Sequence, residues 1–113
     1  MQQVTAIIHP HRLRPVIDAL HTLSHFPGVT VTRVNGQGRG RGKGGKFLPD
    51  AENIFFHERC RLEIICNDSA GEEITRLIRD AAHTGNPGDG IVTVTQLALV
   101  LRIRTGELQA DAT

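Results

Sequence analysis

The alternation of apolar and polar positions divides the chain into four strand-like stretches and two helical ones. Residues 3–8 read as a strand, with Val4, Ala6 and Ile8 set against Thr5 and Ile7. His9-Pro10-His11 reads as a turn. Residues from about 12 to 24 carry Leu13, Val16, Ile17, Leu20 and Leu23 at helical spacing, and Pro15 fits a first turn. Pro27 and Gly28 end that helix, and Val29 to Val34 alternates as a second strand. Glu58 to Asn67 predicts a third strand, with Cys60, Leu62, Ile64 and Cys66 on one side and Arg61, Glu63 and Ile65 on the other. Ser69-Ala70-Gly71-Glu72 has the form of a capping box, opening a helix whose stripe is Ile74, Leu77, Ile78 and Ala81. Gly85 suits its C-terminal cap. Ile91 to Val94 predicts the fourth strand, and Val100 to Arg104 a short extended tail.

The order βαββαβ places a helix in each crossover. That predicts an α/β (α+β) sandwich of ferredoxin-like type: one antiparallel sheet with two helices on one face. The other face then carries Thr5, Ile7, Thr30, Thr32, Glu63 and Ile65. Such a face is too apolar for full exposure and too polar for a core, a composition that self-association covers. Between the second and third strands runs Gly36-Gln37-Gly38-Arg39-Gly40-Arg41-Gly42-Lys43-Gly44-Gly45-Lys46. So much glycine disfavours any regular element, so a long mobile loop is expected at about 37–56.

Composition narrows the class. The chain has 113 residues, one domain's worth, with a formal net charge of +1. No apolar run approaches the roughly 18 residues of a membrane span. The N-terminus lacks a secretory pattern, and Cys60 and Cys66 read as reduced thiols, so a cytoplasmic protein with no membrane insertion is expected.

Candidate chemistry lies near the C-terminus. Thr84-Gly85-Asn86-Pro87-Gly88-Asp89-Gly90 is a glycine loop whose backbone N–H groups can form an anion nest. Further on, Arg102-Ile103-Arg104 puts two guanidiniums on one side if that segment is extended. This region resembles the C-terminal signature of the PII signal-transduction proteins. Val4–Pro10 is similar to that family's opening strand, and Val29–Arg39 to its second strand and the glycines after it. The resemblance spans nearly the whole chain except about 40–56. It implies a homotrimeric regulator, not an enzyme, with adenine nucleotide (ATP, ADP or AMP) in clefts between subunits and Mg2+ as an optional companion. In that reading Gly36, Gly38, Arg39 and Arg41 approach the phosphates from one side, Gly88, Asp89 and Gly90 from another element, and Arg102 and Arg104 from a neighbouring subunit. Ile7, Thr30, Glu63 and Ile65 match positions lining the base and ribose pocket. The loop at about 37–56 matches the family's effector arm, the T-loop, which docks on a regulated protein such as an enzyme, a regulator or a membrane transporter.

The chain also departs from the family. Ile91 stands where the family has a phosphate-reaching lysine, and Arg41 is a partial substitute. Glu52 and Asp50 replace the modified tyrosine and serine of other members, and Gly40 replaces a glutamine that helps hold magnesium and 2-oxoglutarate. Arg59 keeps the positive charge of the loop-base lysine. These departures argue against nitrogen-type covalent control and against a strong 2-oxoglutarate response. An alternative reading is a metal-responsive regulator of the same type, built on surface histidines. Its fragments are His9-x-His11 and His57-x-x-Cys60, which lack a fixed third ligand. RNA binding, a further option for this fold, needs aromatics on the bare face, and no nucleic-acid partner is expected.

Overall fold

The computed structural model describes residues 1–37 and 56–109. The elements run β1 (Gln2–Ile8), a 3₁₀ helix (Pro10–Arg12), α1 (Leu13–Leu20), β2 (Thr30–Gly36), β3 (His57–Cys66), α2 (Gly71–Ala82) and β4 (Ile91–Gln96). The four strands form one antiparallel sheet in the order β2-β3-β1-β4. This is the ferredoxin-like arrangement that the alternation predicts. The loop expected at about 37–56 lies almost wholly outside the described residues.

The core follows from the two periodicities. Val4, Ala6 and Ile8 from β1 and Cys60, Leu62, Ile64 and Cys66 from β3 are buried against Val16 and Leu20 of α1 and Ile74, Ile78 and Ala82 of α2. Each large aliphatic side chain so buried contributes roughly 1.5–3 kcal/mol relative to exposure. Paired residues of adjacent strands share a face, so the register also defines the uncovered side. One row across it is Thr30–Glu63–Thr5–Thr93, and the next is Thr32–Arg61–Ile7–Ile91. The outer strands are less protected: Val31 in β2 and Val94 in β4 stay exposed.

Four local expectations need correction. The first helix ends at Leu20 rather than near 24. There Thr22 donates its N–H to Ala19 O (3.1 Å) and Leu23 its N–H to Leu20 O (3.2 Å), tightening the last turn to 3₁₀ spacing ahead of Pro27. The capping box is not made: Ala70 is the N-cap, without a side-chain hydrogen bond. The chain turns at Asn67–Ala70, and Gly71 then starts α2 pressed on Gln2, whose Oε1 lies 1.9 Å from where a Cβ would stand. At the other end the C-cap is His83 in an extended conformation. Gly85, with φ +85°, belongs to the turn beyond it.

The fourth correction concerns the tail. Residues 103–105 form a turn, and Leu101 and Leu108 bridge in antiparallel fashion. Arg102 donates its N–H to Glu107 O and its carbonyl accepts from Gly106 N–H, both at 2.8 Å. Gly106 sits at φ +76°, which closes this small hairpin. Arg102 and Arg104 are therefore carried on a turn and not on an extended strand.

Candidate functional site

The C-terminal end of β1 and the start of β3 meet the 84–90 loop at one end of the sheet, the end at which β2 also finishes. The loop is built around Asp89. Its carboxylate accepts the Thr84 N–H at 2.9 Å, the Gly85 N–H at 3.0 Å and the Thr84 hydroxyl. Thr84 Oγ1 in turn accepts the Asn86 N–H at 3.1 Å. These bonds favour the charged carboxylate, the Thr84 hydroxyl most of all, and hold its pKa at about 2, with His83 adding a smaller pull. The Asp89 side chain thus serves the loop itself, and the loop's outward chemistry is left to its backbone.

Gly88 and Gly90 show why glycine is needed here. Gly90 has φ +105°, and a Cβ there would lie 1.7 Å from the Ile7 carbonyl oxygen. The loop backbone therefore lies directly on β1. Gly88 has φ +87°, and its missing side chain leaves room for the Arg59 guanidinium, whose Nη2 would stand 2.9 Å from a Cβ. The His9 ring borders the same point, with Cε1 at 3.5 Å and Nε2 at 3.7 Å.

The residues expected from the sequence divide into groups. Ile7, Thr30, Glu63 and Ile65 share the uncovered sheet face, where Glu63 pairs with Arg61 at 3.0 Å. Gly36 closes β2 opposite His57, at the same end as Gly88, Asp89 and Gly90. Ile91, next after the loop, pairs with Ile7 and is 61% exposed, an apolar side chain where a cation was expected from the resemblance. Gly38, Arg39 and Arg41 lie outside the described residues. Arg102 and Arg104 depart from the opposite end of β4: Gln96 pairs with Gln2, and Leu97 donates its N–H to Met1 O at 2.9 Å. Six strand residues, roughly 20 Å at 3.4 Å each, separate the two departures.

Two residues at the loop were not among those expected to line it. Continuing the two-residue alternation, His9 follows Thr5 and Ile7, and Arg59 precedes Arg61 and Glu63, so both fall on the uncovered side. That parity was readable, but which loop they meet was not. Burial pushes the His9 imidazole below its ordinary pKa, Arg59 and His11 act in the same direction, Asp89 opposes them, and His57 adds a final lowering. Among the described residues no group of three or more His, Cys, Asp and Glu is placed to hold a metal ion. No helix among them is long and apolar enough to cross a membrane.

Comparison with known proteins agrees with this architecture. The family profile described as Nitrogen regulatory protein P-II matches residues 1–107. The chain is 38% identical over 112 residues to the nitrogen regulatory protein P-II of Azospirillum brasilense, covering 99% of each. It is 36% identical over 112 residues to the P-II protein of Rhizobium meliloti and to the nitrogen regulatory protein GlnK of Escherichia coli, again covering 99% of each chain. These relatives are named as regulatory proteins and not as enzymes. A matching profile over almost the full length, with the sheet, the two helices and the glycine loop in place, shows that this chain is a signal-transduction regulator belonging to the nitrogen regulatory P-II family.

Proposed function

We propose that the protein is a homotrimeric sensor that binds adenine nucleotide between subunits and controls a partner protein through the segment at about 37–56. The observation that carries this reading is the divided site. The glycine loop and the Arg102–Arg104 hairpin leave β4 from opposite ends, so a neighbouring copy is the natural source of the second half. Supporting it, β4 is an edge strand, and Ile91, Val94, Leu99, Leu101, Ile103 and Leu108 on it and on the hairpin are exposed. An unpaired edge flanked by apolar side chains is a surface that association covers.

In this reading Ile7, Thr30, Glu63 and Ile65 line the base and ribose pocket. Backbone N–H groups of Gly88 and Gly90, with the arginine pair of the neighbour, hold the α- and β-phosphates. Gly36 and, from the segment outside the described residues, Gly38, Arg39 and Arg41 approach from the other side. Nucleotide occupancy then selects the conformation in which the effector segment meets its partner, a regulated protein such as a membrane transporter. Ile91 supplies no ammonium for a γ-phosphate. Losing one charged contact of roughly 1.5–3 kcal/mol corresponds to about a ten- to hundredfold loss of affinity. ATP is therefore expected to bind no more than marginally better than ADP or AMP, with little response to 2-oxoglutarate.

Light scattering and titration calorimetry test this together. A trimer mass, nucleotide binding to that trimer, and loss of binding in Arg102→Ala and Arg104→Ala are the expected results. A monomer at micromolar concentration would sink the inter-subunit site. A clear ATP preference strengthened by 2-oxoglutarate would overturn the ligand reading.

A further inference from the structure

The point above Gly88 gathers one arginine and several histidines beside a glycine backbone. From β3, Arg59 is anchored by donating from Nη1 to the Glu58 carbonyl at 2.8 Å, which holds its Nη2 over Gly88. From the end of β1, His9 presents Cε1 and Nε2 to the same glycine and is only 17% exposed. From the 3₁₀ helix, His11 stacks beside it at 5.1 Å between ring centroids. His57, opposite Gly36 at the start of β3, adds to the same field. Among the described residues the carboxylate facing them is Asp89, whose oxygens already accept three hydrogen bonds within the loop. His9 Nε2 lies 3.7 Å from it, beyond hydrogen-bond distance, and His83 Nδ1 lies 3.5 Å away on its other side. On this face β2 offers no titratable side chain among the described residues, only Thr30, Thr32, Val34 and Gly36.

We propose that His9 is a proton-gated phosphate ligand of the glycine loop: protonated, it joins Arg59 in clamping a phosphate oxygen over Gly88. This rests on the nucleotide-binding reading and adds to it a regulation by pH.

The physical reason is linkage. Without an anion, a proton on His9 is opposed by burial first and then by Arg59, which outweigh the pull of Asp89, so the ring is kept neutral more than an exposed histidine would be. A phosphate group seated between His9 and Arg59 reverses the sign of that field and raises the His9 pKa. Whatever raises the proton affinity of His9 on phosphate binding must raise phosphate affinity on protonation by the same factor. A rise of one unit corresponds to about a tenfold gain in affinity between pH above and pH below the titration. The gain falls in the range near neutrality where imidazole titrates. His11 and His57 act on His9 through space and not through Gly88, so their neutral variants should alter the midpoint and keep the effect.

Two measurements on the full-length protein decide it. The first is calorimetry of ADP binding at pH 6 and pH 8 in buffers of different ionisation enthalpy, for the wild type and for His9→Gln. The phosphates' own protonation is common to both proteins and cancels in the comparison. Expected is proton uptake and an additional affinity gain of about three- to tenfold at pH 6 in the wild type, absent in His9→Gln. The second is the nitrogen chemical shift of the His9 ring followed through pH, alone and with pyrophosphate, where the midpoint should rise on adding the anion. If ADP binds with the same pH dependence in both proteins, or the His9 midpoint is unmoved by bound anion, the proposal fails and the nucleotide site stands. If pyrophosphate raises the midpoint but no adenine nucleotide binds, the His9 clamp stands and the nucleotide reading fails. If neither ligand has any effect, both fail.

Discussion

Gly90→Ala is the substitution that most directly tests how the glycine loop is held on the sheet. The new Cβ would lie 1.7 Å from the Ile7 carbonyl oxygen, 2.9 Å from its carbonyl carbon and 3.4 Å from Ile8 Cα. All three are backbone atoms of β1, an interior strand in which Ile7 is paired with Arg61 on one side and Ile91 on the other. No rotamer change can relieve the contact, so either the loop lifts or the sheet yields. A non-glycine residue at φ +105° costs roughly 1–3 kcal/mol from backbone conformation alone. Overpacking against a fixed neighbour adds typically about 1–3 kcal/mol. The control is Gly28→Ala, where φ is +93° but nothing lies within 4 Å of the added Cβ. It should lose only the conformational contribution. Urea unfolding at matched protein concentration, needed because association shifts apparent stability, should place Gly90→Ala below Gly28→Ala by about 1–3 kcal/mol. Calorimetry should also show its nucleotide affinity reduced. Equal stabilities within about 0.5 kcal/mol would show that the loop does not rest on β1 as described.

Two further outcomes follow from the hydrogen bonds. Asp89 has its folded pKa depressed from 3.8 to about 2, so its contribution to loop stability is complete above the unfolded value and is lost as pH falls through the folded one. Thr84→Val removes the leading cause of that depression, so the loop should open at higher pH, read from Gly85 amide exchange between pH 5 and pH 2; unchanged exchange would contradict the assignment. Arg12 donates from Nε and Nη2 to Ala81 O at 2.9 and 2.5 Å, tying the 3₁₀ helix to the end of α2. Arg12→Ala should cost roughly 1.5–3 kcal/mol in urea unfolding, with Arg12→Lys recovering only part because the fork is lost.

The sheet was legible because burial imposes a period of two. Val4, Ala6 and Ile8, and then Cys60, Leu62, Ile64 and Cys66, could face a core only by turning Thr5, Ile7, Glu63 and Ile65 the other way. The helices were legible from their stripes, but their ends were not. Ser69 and Glu72 satisfy the pattern of a capping box, yet the helix begins at Gly71, where tight packing on Gln2 sets the start. Local pattern carries no information about that contact.

The loop shows the same division at the site. Its glycines were readable as a tight turn, since few residues other than glycine adopt φ near +90°. That Asp89 turns inward to Thr84 and Gly85 depends on a closure five residues long, which several conformations of the same sequence could avoid. Arg102 and Arg104 were placed from their spacing and from the family resemblance, and the spacing could not distinguish a strand from the hairpin that Leu101, Leu108 and Gly106 close. The meeting of His9 and Arg59 over Gly88 joins positions 50 and 29 residues apart. Alternation determined the face each side chain occupies. Only strand order and register, settled by packing the whole sheet against two helices, decided that those faces converge on one glycine.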